Sequence, residues 1–295
     1  MSVITTQRIG DILVIVSNNP PVNALGQAVR AGLAEAIAHA AGEAAIKAVI
    51  IRCDGRTFFA GADITEFGKP PVGPSLPDLV DAIEQCPKPV IAAIHGTALG
   101  GGLEVALPEV KLGLLPGAGG TQRLPRVAGI ADALTMIVTG EAVTASKALE
   151  IGLLDRVVQT GSLADEALEF AAEVARAAGH PVSSLRTDRI AEAANHPQVF
   201  DKFIAENARR LKGFDAPKAC IEAVRAAVDL PFEQGIKRER ELFMKLVSGT
   251  QSRAMRHLFF AERQAGKIDG IPADTPLIPI ARVGILGAGT MGGGI

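Results

Sequence analysis

The sequence predicts an α/β fold in its first half, followed by a mostly helical second half. Three observations carry this prediction. Strand signals and helix-period segments alternate up to about residue 130, strand signals then become sparse, and a strand with a glycine-rich turn returns at the end of the chain. Alternation of this kind is typical of α/β domains.

The chain opens with two short strands, Val3–Arg8 and Ile12–Ser17, on either side of a turn-forming Gly-Asp pair. An alanine-rich segment with a helical period, Gly26–Ala41, leads to a β-branched run, Lys47–Cys53. This succession is a β–α–β unit. A short helix at 78–85 and an apolar strand, Pro89–His95, complete the predicted first half.

Helical periods dominate after residue 130, apart from one strand signal at Leu153–Val158. The predicted helices cover 161–178, 198–211, 218–228, 232–247 and 251–265. The segment Lys237–Glu241 alternates charge sign on one of these helices, which predicts a solvated face. A proline-rich stretch at 268–281 predicts an inter-domain linker, and a strand signal at Arg282–Leu286 follows it.

Composition excludes several classes of function. The 295 residues are 48% apolar and 21% charged, with a net charge of −2, and include neither Tyr nor Trp. With no basic run, and with 11 Phe as the only aromatic residues that could stack on bases, nucleic-acid binding is disfavoured. The N-terminus lacks a signal-peptide pattern, and the chain has no long apolar segment free of Gly and Pro, so secretion and membrane spanning are not expected.

Three cysteines, Cys53, Cys86 and Cys220, lie far apart in the sequence and form no C-x-x-C pair. Neither a disulfide framework nor a metal site is predicted, and small apolar residues in the core are the expected role. This usage fits a reducing, cytosol-like compartment.

One acidic residue stands out in an apolar segment. Between Pro89 and Pro108 the only formal charge is Glu104, two residues after the Gly100–Gly102 run. These glycines follow a strand and are expected to begin a helix, where backbone N–H groups can face a ligand. A buried carboxylate there suggests proton transfer, whereas the structural alternative is a tight turn with Glu104 at the surface.

A second loop of small residues follows the strand at 47–53. It reads Phe-Ala-Gly-Ala-Asp-Ile over Phe59–Ile64 and leaves backbone N–H groups accessible. Two such strand-end loops can donate two hydrogen bonds to one oxygen, which is what stabilising an enolate requires.

Six ordered motifs together resemble the crotonase, or enoyl-CoA hydratase/isomerase, superfamily. They are NPPVNAL at 19–25, FAGADI at 59–64, GTALGGGLE at 96–104, LPE at 107–109, LGLLPGAGGTQR at 112–123 and ALEIGLLDRVV at 148–158. The resemblance implies a crotonase spiral of β–β–α turns followed by helices. It also implies acyl-CoA thioesters as substrates, no cofactor for the hydratase/isomerase part, and the β-oxidation of fatty acids as the process.

The resemblance further implies roles for individual residues. The backbone N–H groups of Ala62 and Gly101 would hold the thioester oxygen, while Ala60, Gly61, Ala62, Asp63 and Ile64 would line the CoA pocket. Glu104 and Glu109 would be the catalytic carboxyls for hydration of a trans-2-enoyl-CoA, one acting as base and one as acid. Moving a double bond from C3 to C2 would depend mainly on Glu109.

The spacing of these two glutamates departs from the family. About twenty residues separate them there, whereas Glu104 and Glu109 are five apart here, so roughly fifteen residues are missing. A natural loss, an engineered deletion and an omission from the written sequence all fit this departure. We favour the omission, because the motifs on both sides remain in register. A real loss predicts little or no hydratase activity and favours a non-catalytic acyl-CoA-binding module.

The last residues, 281–295, resemble the opening of the 3-hydroxyacyl-CoA dehydrogenase domain of multifunctional β-oxidation enzymes. Gly287, Gly289 and Gly292 fit the G-x-G-x-x-G pattern that binds NAD after a strand. The chain stops before the rest of that domain, so NAD is expected to bind only a longer parent.

The predicted domains are a hydratase/isomerase core at 1–183, a helical extension at 184–267, the linker at 268–281 and the dehydrogenase start at 282–295. The long helical extension favours a monomer over a trimer.

Overall fold

A computed structural model gives the fold of the chain. The structure describes residues 2–66, 69–96, 104–159, 161–177, 179–194, 196, 198–266, 270–271, 275–276, 278–287 and 289. Two compact units result, Met1–Arg256 and His257–Ile295. The four domain boundaries proposed from the sequence stay predictions.

A four-stranded sheet forms the first half of the chain. Its strands are β1 (Ile4–Ile9), β2 (Ile12–Ser17), β3 (Ala48–Cys53) and β4 (Val90–Ala93), in that spatial order. The β1–β2 pair is an antiparallel hairpin, and β2, β3 and β4 run parallel. The predicted α/β class is confirmed in this half.

The other described elements are mostly helices. They are α1 (Gln27–Gly42), α2 (Leu76–Glu84), α3 (Gly120–Ala128), α4 (Ile130–Thr139), α5 (Ala145–Glu150), α6 (Leu163–Val174), α7 (Asp188–Ala194), α8 (Gln198–Glu206), α9 (Ala208–Leu211), α10 (Ala216–Asp229), α11 (Phe232–Ser248) and α12 (Thr250–Ala265). Two short strands, β5 (Glu104–Val105) and β6 (Val143–Thr144), pair antiparallel. Short 3₁₀ turns cover Ile64–Glu66, Pro108–Leu112 and Ser183–Leu185.

The central strand β2 is buried along its whole length because helices cover both faces of the sheet. Leu13 and Ile15 pack on the side of α1, whereas Ile12 and Val14 pack on the side of α6. This alternation is the two-residue period of a strand. A separate core joins α3, α4 and α10, and the three cysteines are buried as expected.

Two predicted strands and one predicted helix start are wrong. Leu153–Val158 forms no strand, because the N–H groups of Leu153 and Leu154 both donate to the carbonyl of Ala148 and turn the chain back on α5. Arg282–Leu286 also forms none, since no described strand lies beside it to pair its backbone. Glu104, expected at the start of a helix, instead begins β5.

None of the described helices has the length and apolar character needed to cross a bilayer.

Candidate active site

Three loops leave the carboxyl ends of the parallel strands β2, β3 and β4 at the same edge of the sheet, which is where ligands bind in many α/β folds. Asn23 ties the first loop to the second. Its side-chain amide donates to the carbonyls of Asp54 (2.8 Å) and Thr57 (3.0 Å), and its Oδ1 accepts from the N–H of Asn19 (2.8 Å). Asn23 is buried, and its backbone has the left-handed conformation with φ of 51°. These hydrogen bonds let one side chain hold both loops.

The FAGADI loop is fixed by its backbone. The N–H of Leu25 donates to the carbonyl of Gly61 (2.9 Å), and Leu25 forms a parallel bridge with Ala62. Gly61 has φ of +88°, a conformation that favours glycine. Ala60 and Asp63 are partly exposed and Gly61 and Ala62 exposed, so the predicted N–H donor Ala62 lies on an accessible edge.

Asp63 directly precedes the 3₁₀ turn Ile64–Glu66, which ends this loop. The Asp63 carboxylate accepts from the backbone N–H (2.9 Å) and the hydroxyl (2.8 Å) of Thr65, which caps the turn. Its side chain therefore shapes the loop.

Arg30 connects the FAGADI loop to the residues just before α2. The buried guanidinium donates to the carboxylate of Glu66 (2.7 Å) and to the carbonyls of Leu25, Val72 and Pro74. These four acceptors satisfy much of its donor capacity. The residues just before α2 are thereby held against the start of α1.

Gly96, at the end of the β4 segment, is fitted to the loop after β3. It forms a bridge with Thr57, and the nearby carbonyl of His95 accepts from the N–H of Phe58 (3.2 Å). A Cβ at Gly96 would lie 2.1 Å from the carbonyl oxygen of Arg56.

Gly96→Ala is therefore expected to destabilise the protein, and Gly10→Ala is its matched control. Both glycines have φ near +62°, but a Cβ at Gly10 meets no atom within 4 Å. Both variants place a Cβ on a residue with positive φ, which is strained. Only Gly96→Ala adds a clash with backbone, which lowers the free energy of unfolding by about 1–3 kcal/mol more. Urea unfolding measures both, and equal losses of stability would contradict this packing.

The two predicted catalytic glutamates lie in different elements. Glu104 pairs through its backbone with Thr144 in the β5–β6 ladder. Glu109 lies in the 3₁₀ turn Pro108–Leu112, and its carbonyl accepts from the N–H of Leu114 (3.0 Å). Of the predicted oxyanion donors, Gly101 lies outside the described residues.

The carboxyl of Glu109 is in an apolar environment. Its Oε2 is buried and has no hydrogen-bond partner among the described residues. Burial raises the pKa of Glu109 to about 7, and the nearby carboxylate of Glu239 adds to this shift. The same surroundings raise the pKa of the buried Cys220 thiol, chiefly by burial and also through Glu109. Glu109 can therefore hold or release a proton near neutral pH, as a general acid or base must.

A cavity of about 300 Å³ lies between the start of α2, the loop before α3 and α11. Its lining includes Ser75, Asp78, Gly117, Arg123, Glu239 and Arg240. Arg123 donates to Asp81 (2.7 Å) and Glu84 (2.9 Å), so its guanidinium is paired with two carboxylates of this chain. Burial opposes ionisation of Glu84, but bonds from Arg123 and the Ser184 N–H outweigh it and lower its pKa.

Sequence reasoning missed the residues that hold the site together, namely Asn23, Arg30, Glu66 and Glu239. Glu239 contradicts the predicted solvated face of Lys237–Glu241, because only 2% of its surface is exposed. A usable signal existed, since Glu239 lies at helical spacing from Phe232, Ile236 and Leu242.

Comparison with known proteins identifies the family. The model of the enoyl-CoA hydratase/isomerase family matches residues 7–198. The chain belongs to the enoyl-CoA hydratase/isomerase family. A carnitinyl-CoA dehydratase from Mycobacterium avium 104 has a similar structure, with a TM-score of 0.64 and 25% identity over 89% of this chain and 97% of that one. The crotonase fold implied by the motifs is thereby confirmed.

Two curated relatives extend the match. A peroxisomal bifunctional enzyme of Danio rerio is 41% identical over 96% of this chain and 42% of its own length. The peroxisomal bifunctional enzyme of Homo sapiens is 41% identical over 94% of this chain and 41% of its own length. The chain thus spans less than half the length of these relatives.

The alignment with the Danio rerio protein contains residues that this chain lacks. It runs over 306 positions but covers 96% of the 295 residues, or about 283, so about 20 residues of the relative have no counterpart here. This total is of the same order as the roughly fifteen residues by which the spacing of Glu104 and Glu109 falls short of the family.

The predicted NAD fingerprint is described only in part. Gly287 has φ of +98°, and the described residues before it form no strand and have exposed side chains, with Leu286 fully exposed. Gly289 is also described, whereas Gly292 and the other residues from 290 onwards lie outside the described residues. The NAD fingerprint therefore stays a prediction.

Proposed function

We propose that this chain hydrates trans-2-enoyl-CoA and shifts a C3 double bond to C2 within fatty-acid β-oxidation. The observation that carries the proposal is the buried Glu109 carboxyl, whose pKa is raised to about 7 in a chain of this family. Proton transfer to and from carbon needs such a group near neutral pH.

Hydration places two demands on carboxyls. One group takes a proton from the water that attacks C3, and another supplies the proton that C2 gains. We assign these roles to Glu104 and Glu109 as a pair. In the isomerase reaction a single group moves a proton from C2 to C4, and we assign that step to Glu109.

The negative charge that develops on the thioester oxygen needs two donors. We assign them to the backbone N–H groups of Ala62 and Gly101, each stabilising the enolate by about 3–4 kcal/mol if comparable to other oxyanion holes. The loop Ala60–Ile64 is proposed to line the CoA pocket. Its anchoring by Leu25 and Asn23 supports this role, because a fixed loop presents its N–H groups without further ordering.

The surroundings of the protein are proposed from its relatives. These are peroxisomal bifunctional enzymes, which supports a peroxisomal location in a eukaryotic cell and a cytoplasmic one otherwise. The parent is proposed to carry an NAD-dependent 3-hydroxyacyl-CoA dehydrogenase, whereas the hydratase/isomerase part uses no cofactor. We propose a monomer.

The shortened spacing of Glu104 and Glu109 favours a second candidate, an acyl-CoA-binding module without turnover. Both candidates bind CoA thioesters, and only the enzyme removes the conjugated double bond.

The mass of the proteolytic peptide that contains both Glu104 and Glu109, taken from the protein of its natural source, separates the two. At this chain's average of about 104 Da per residue, fifteen omitted residues add about 1.5 kDa to that peptide. We expect the heavier peptide, with loss of the enoyl thioester's ultraviolet absorbance on mixing with the protein. A peptide of the mass written in this sequence, with binding but no absorbance change, would establish the binding module.

A further inference from the structure

Glu239 is a buried carboxylate that neither the motifs nor the proposed mechanism uses. It lies on α11 and accepts three hydrogen bonds: from the N–H of Gly119 (2.7 Å), the N–H of Thr121 (3.0 Å) and the hydroxyl of Thr121 (2.6 Å). The donors lie about 120 residues earlier in the chain.

These bonds cap helix α3. Its N-cap is Gly119, which has φ of +85° and no side chain to accept from the first N–H groups of the helix. Unsatisfied N–H groups at a buried helix start are costly, and a carboxylate both accepts their bonds and favours the positive end of the helix dipole. Glu239 of α11 therefore supplies the hydrogen-bond acceptor that Gly119, at the N-cap of α3, cannot provide.

Residues one helical turn before and after Glu239 on α11 also pack closely against the segment 117–122. A Cβ at Gly117 would lie 2.5 Å from the ring of Phe243, and a Cβ at Gly235 would lie 2.1 Å from the side-chain oxygen of Gln122. Residues 235, 239 and 243 are four apart, so one stripe of α11 is matched to residues 117–122. The contact with Glu239 is therefore one point of a continuous fitted surface.

This surface is linked to the Glu109 turn through the chain, because the N–H of Leu114, three residues before Gly117, donates to the carbonyl of Glu109 (3.0 Å). Glu239 lines the 300 Å³ cavity together with Gly117 and Gly119, and its charge acts on Glu109. Among the described residues, the charged groups that line the same cavity as Glu239 are Asp78 and Asp81 of α2, Arg123 of α3 and Arg240 of α11. The titratable group of α10 next to Glu109 is Cys220. Burial raises the pKa of Glu239 to about 7, although the three donated bonds and Arg123 lower it in part. The two carboxyls therefore titrate as a pair near neutral pH.

We propose that Glu239 is a positioning residue of the reaction: its carboxylate fixes the Gly117–Thr121 turn, which lies at the cavity and follows the Glu109 turn along the chain. This proposal rests on the proposed function. Residue 239 lies beyond the 7–198 range of the family model, so the helical extension contributes a working part of the hydratase.

Three variants separate positioning from a purely structural role. Glu239→Gln keeps the shape but removes the charge and sets an amide against one of the N–H donors. Thr121→Val keeps the charge and removes only the hydroxyl bond. Glu241→Gln, on the same helix and paired at the surface with Arg238, is the matched control.

We expect Glu239→Gln to lower kcat for hydration about 10- to 100-fold while KM and the Kd for CoA change less than about threefold, because misplaced groups slow the reaction more than they weaken binding. The pH–rate profile should shift to lower pH, since the neighbouring negative charge is gone. Thr121→Val should lower kcat less and leave the profile in place. A structural role alone would lower the melting temperature and move neither kcat, measured well below that temperature, nor the profile.

Failure of this proposal is distinguishable from failure of the proposed function. If the unaltered protein hydrates enoyl-CoA and Glu239→Gln retains its kcat and profile, the positioning role is overturned. If the unaltered protein shows no turnover, the proposed function fails, and amide hydrogen exchange then tests the fixing of the Gly117–Thr121 turn by itself. Faster exchange at Gly119 and Thr121 in Glu239→Gln than in Glu241→Gln supports this fixing, and equal exchange overturns it.

Discussion

Replacement of Glu109 by Gln is expected to lower kcat for both hydration and isomerisation by about 10²–10⁴-fold, the range for loss of a general acid or base. Gln has nearly the same shape as Glu but cannot exchange a proton. The variant therefore lacks the carboxyl whose pKa is raised to about 7. Binding of CoA thioesters should persist, because the loop Ala60–Ile64 is unchanged. Absorbance assays with trans-2-enoyl and 3-enoyl thioesters measure the two reactions separately.

Cys220→Ala is the matched control for this variant, because the thiol is buried next to Glu109 and a loss of packing there affects the same region. A melting temperature for each variant shows that it is folded. Full isomerase activity in Glu109→Gln would remove the assignment of Glu109, and a comparable loss of activity in a folded Cys220→Ala would assign the effect to packing.

The same substitution is expected to change how stability depends on pH. Burial raises the pKa of Glu109 from its ordinary 4.5 to about 7, so the folded protein binds more protons than the unfolded chain in that interval. Stability is therefore lost as pH rises from 4.5 through 7, by about 3 kcal/mol when the loss is complete. Gln does not ionise, so this loss does not occur in Glu109→Gln. Its stability relative to the unaltered protein should therefore rise by about this much between pH 4.5 and 8.

Urea unfolding at pH 4.5, 6 and 8 measures this difference, and any constant cost of the substitution cancels between pH values. Glu150→Gln, on the surface of α5, shows the effect of losing one exposed carboxylate. Parallel stability curves for Glu109→Gln and the unaltered protein would show that Glu109 is not buried in the folded state. A gain in stability together with a loss of activity is typical of a group held in an unfavourable place for function.

The first half of the fold was predictable from local signals. The β2 and β3 strands are β-branched runs bounded by turn residues, and their burial between helices follows from apolar residues at every position except Ser17 and Arg52. The predicted strands at Leu153–Val158 and Arg282–Leu286 contain the same residue types. They form no strands because a strand requires a partner for its backbone, which local sequence does not report.

The candidate site was predicted only in part. Motifs placed Ala62, Glu104 and Glu109 in a functional region, but the residues that hold this region act over long separations in the sequence. Arg30 reaches the carbonyls of Val72 and Pro74, and Glu239 reaches Gly119. In the sequence such residues look like ordinary surface charges, and only their place in an apolar helical stripe distinguishes them.

The most direct test of the central claim is the ultraviolet absorbance of a trans-2-enoyl-CoA mixed with the protein from its natural source and, in parallel, with its Glu109→Gln variant. We expect the absorbance of the conjugated thioester to fall with the unaltered protein and to persist with the variant, while both bind CoA. Persistent absorbance with the unaltered protein, or an equal fall with both, would contradict this account of an enoyl-CoA hydratase that acts through Glu109.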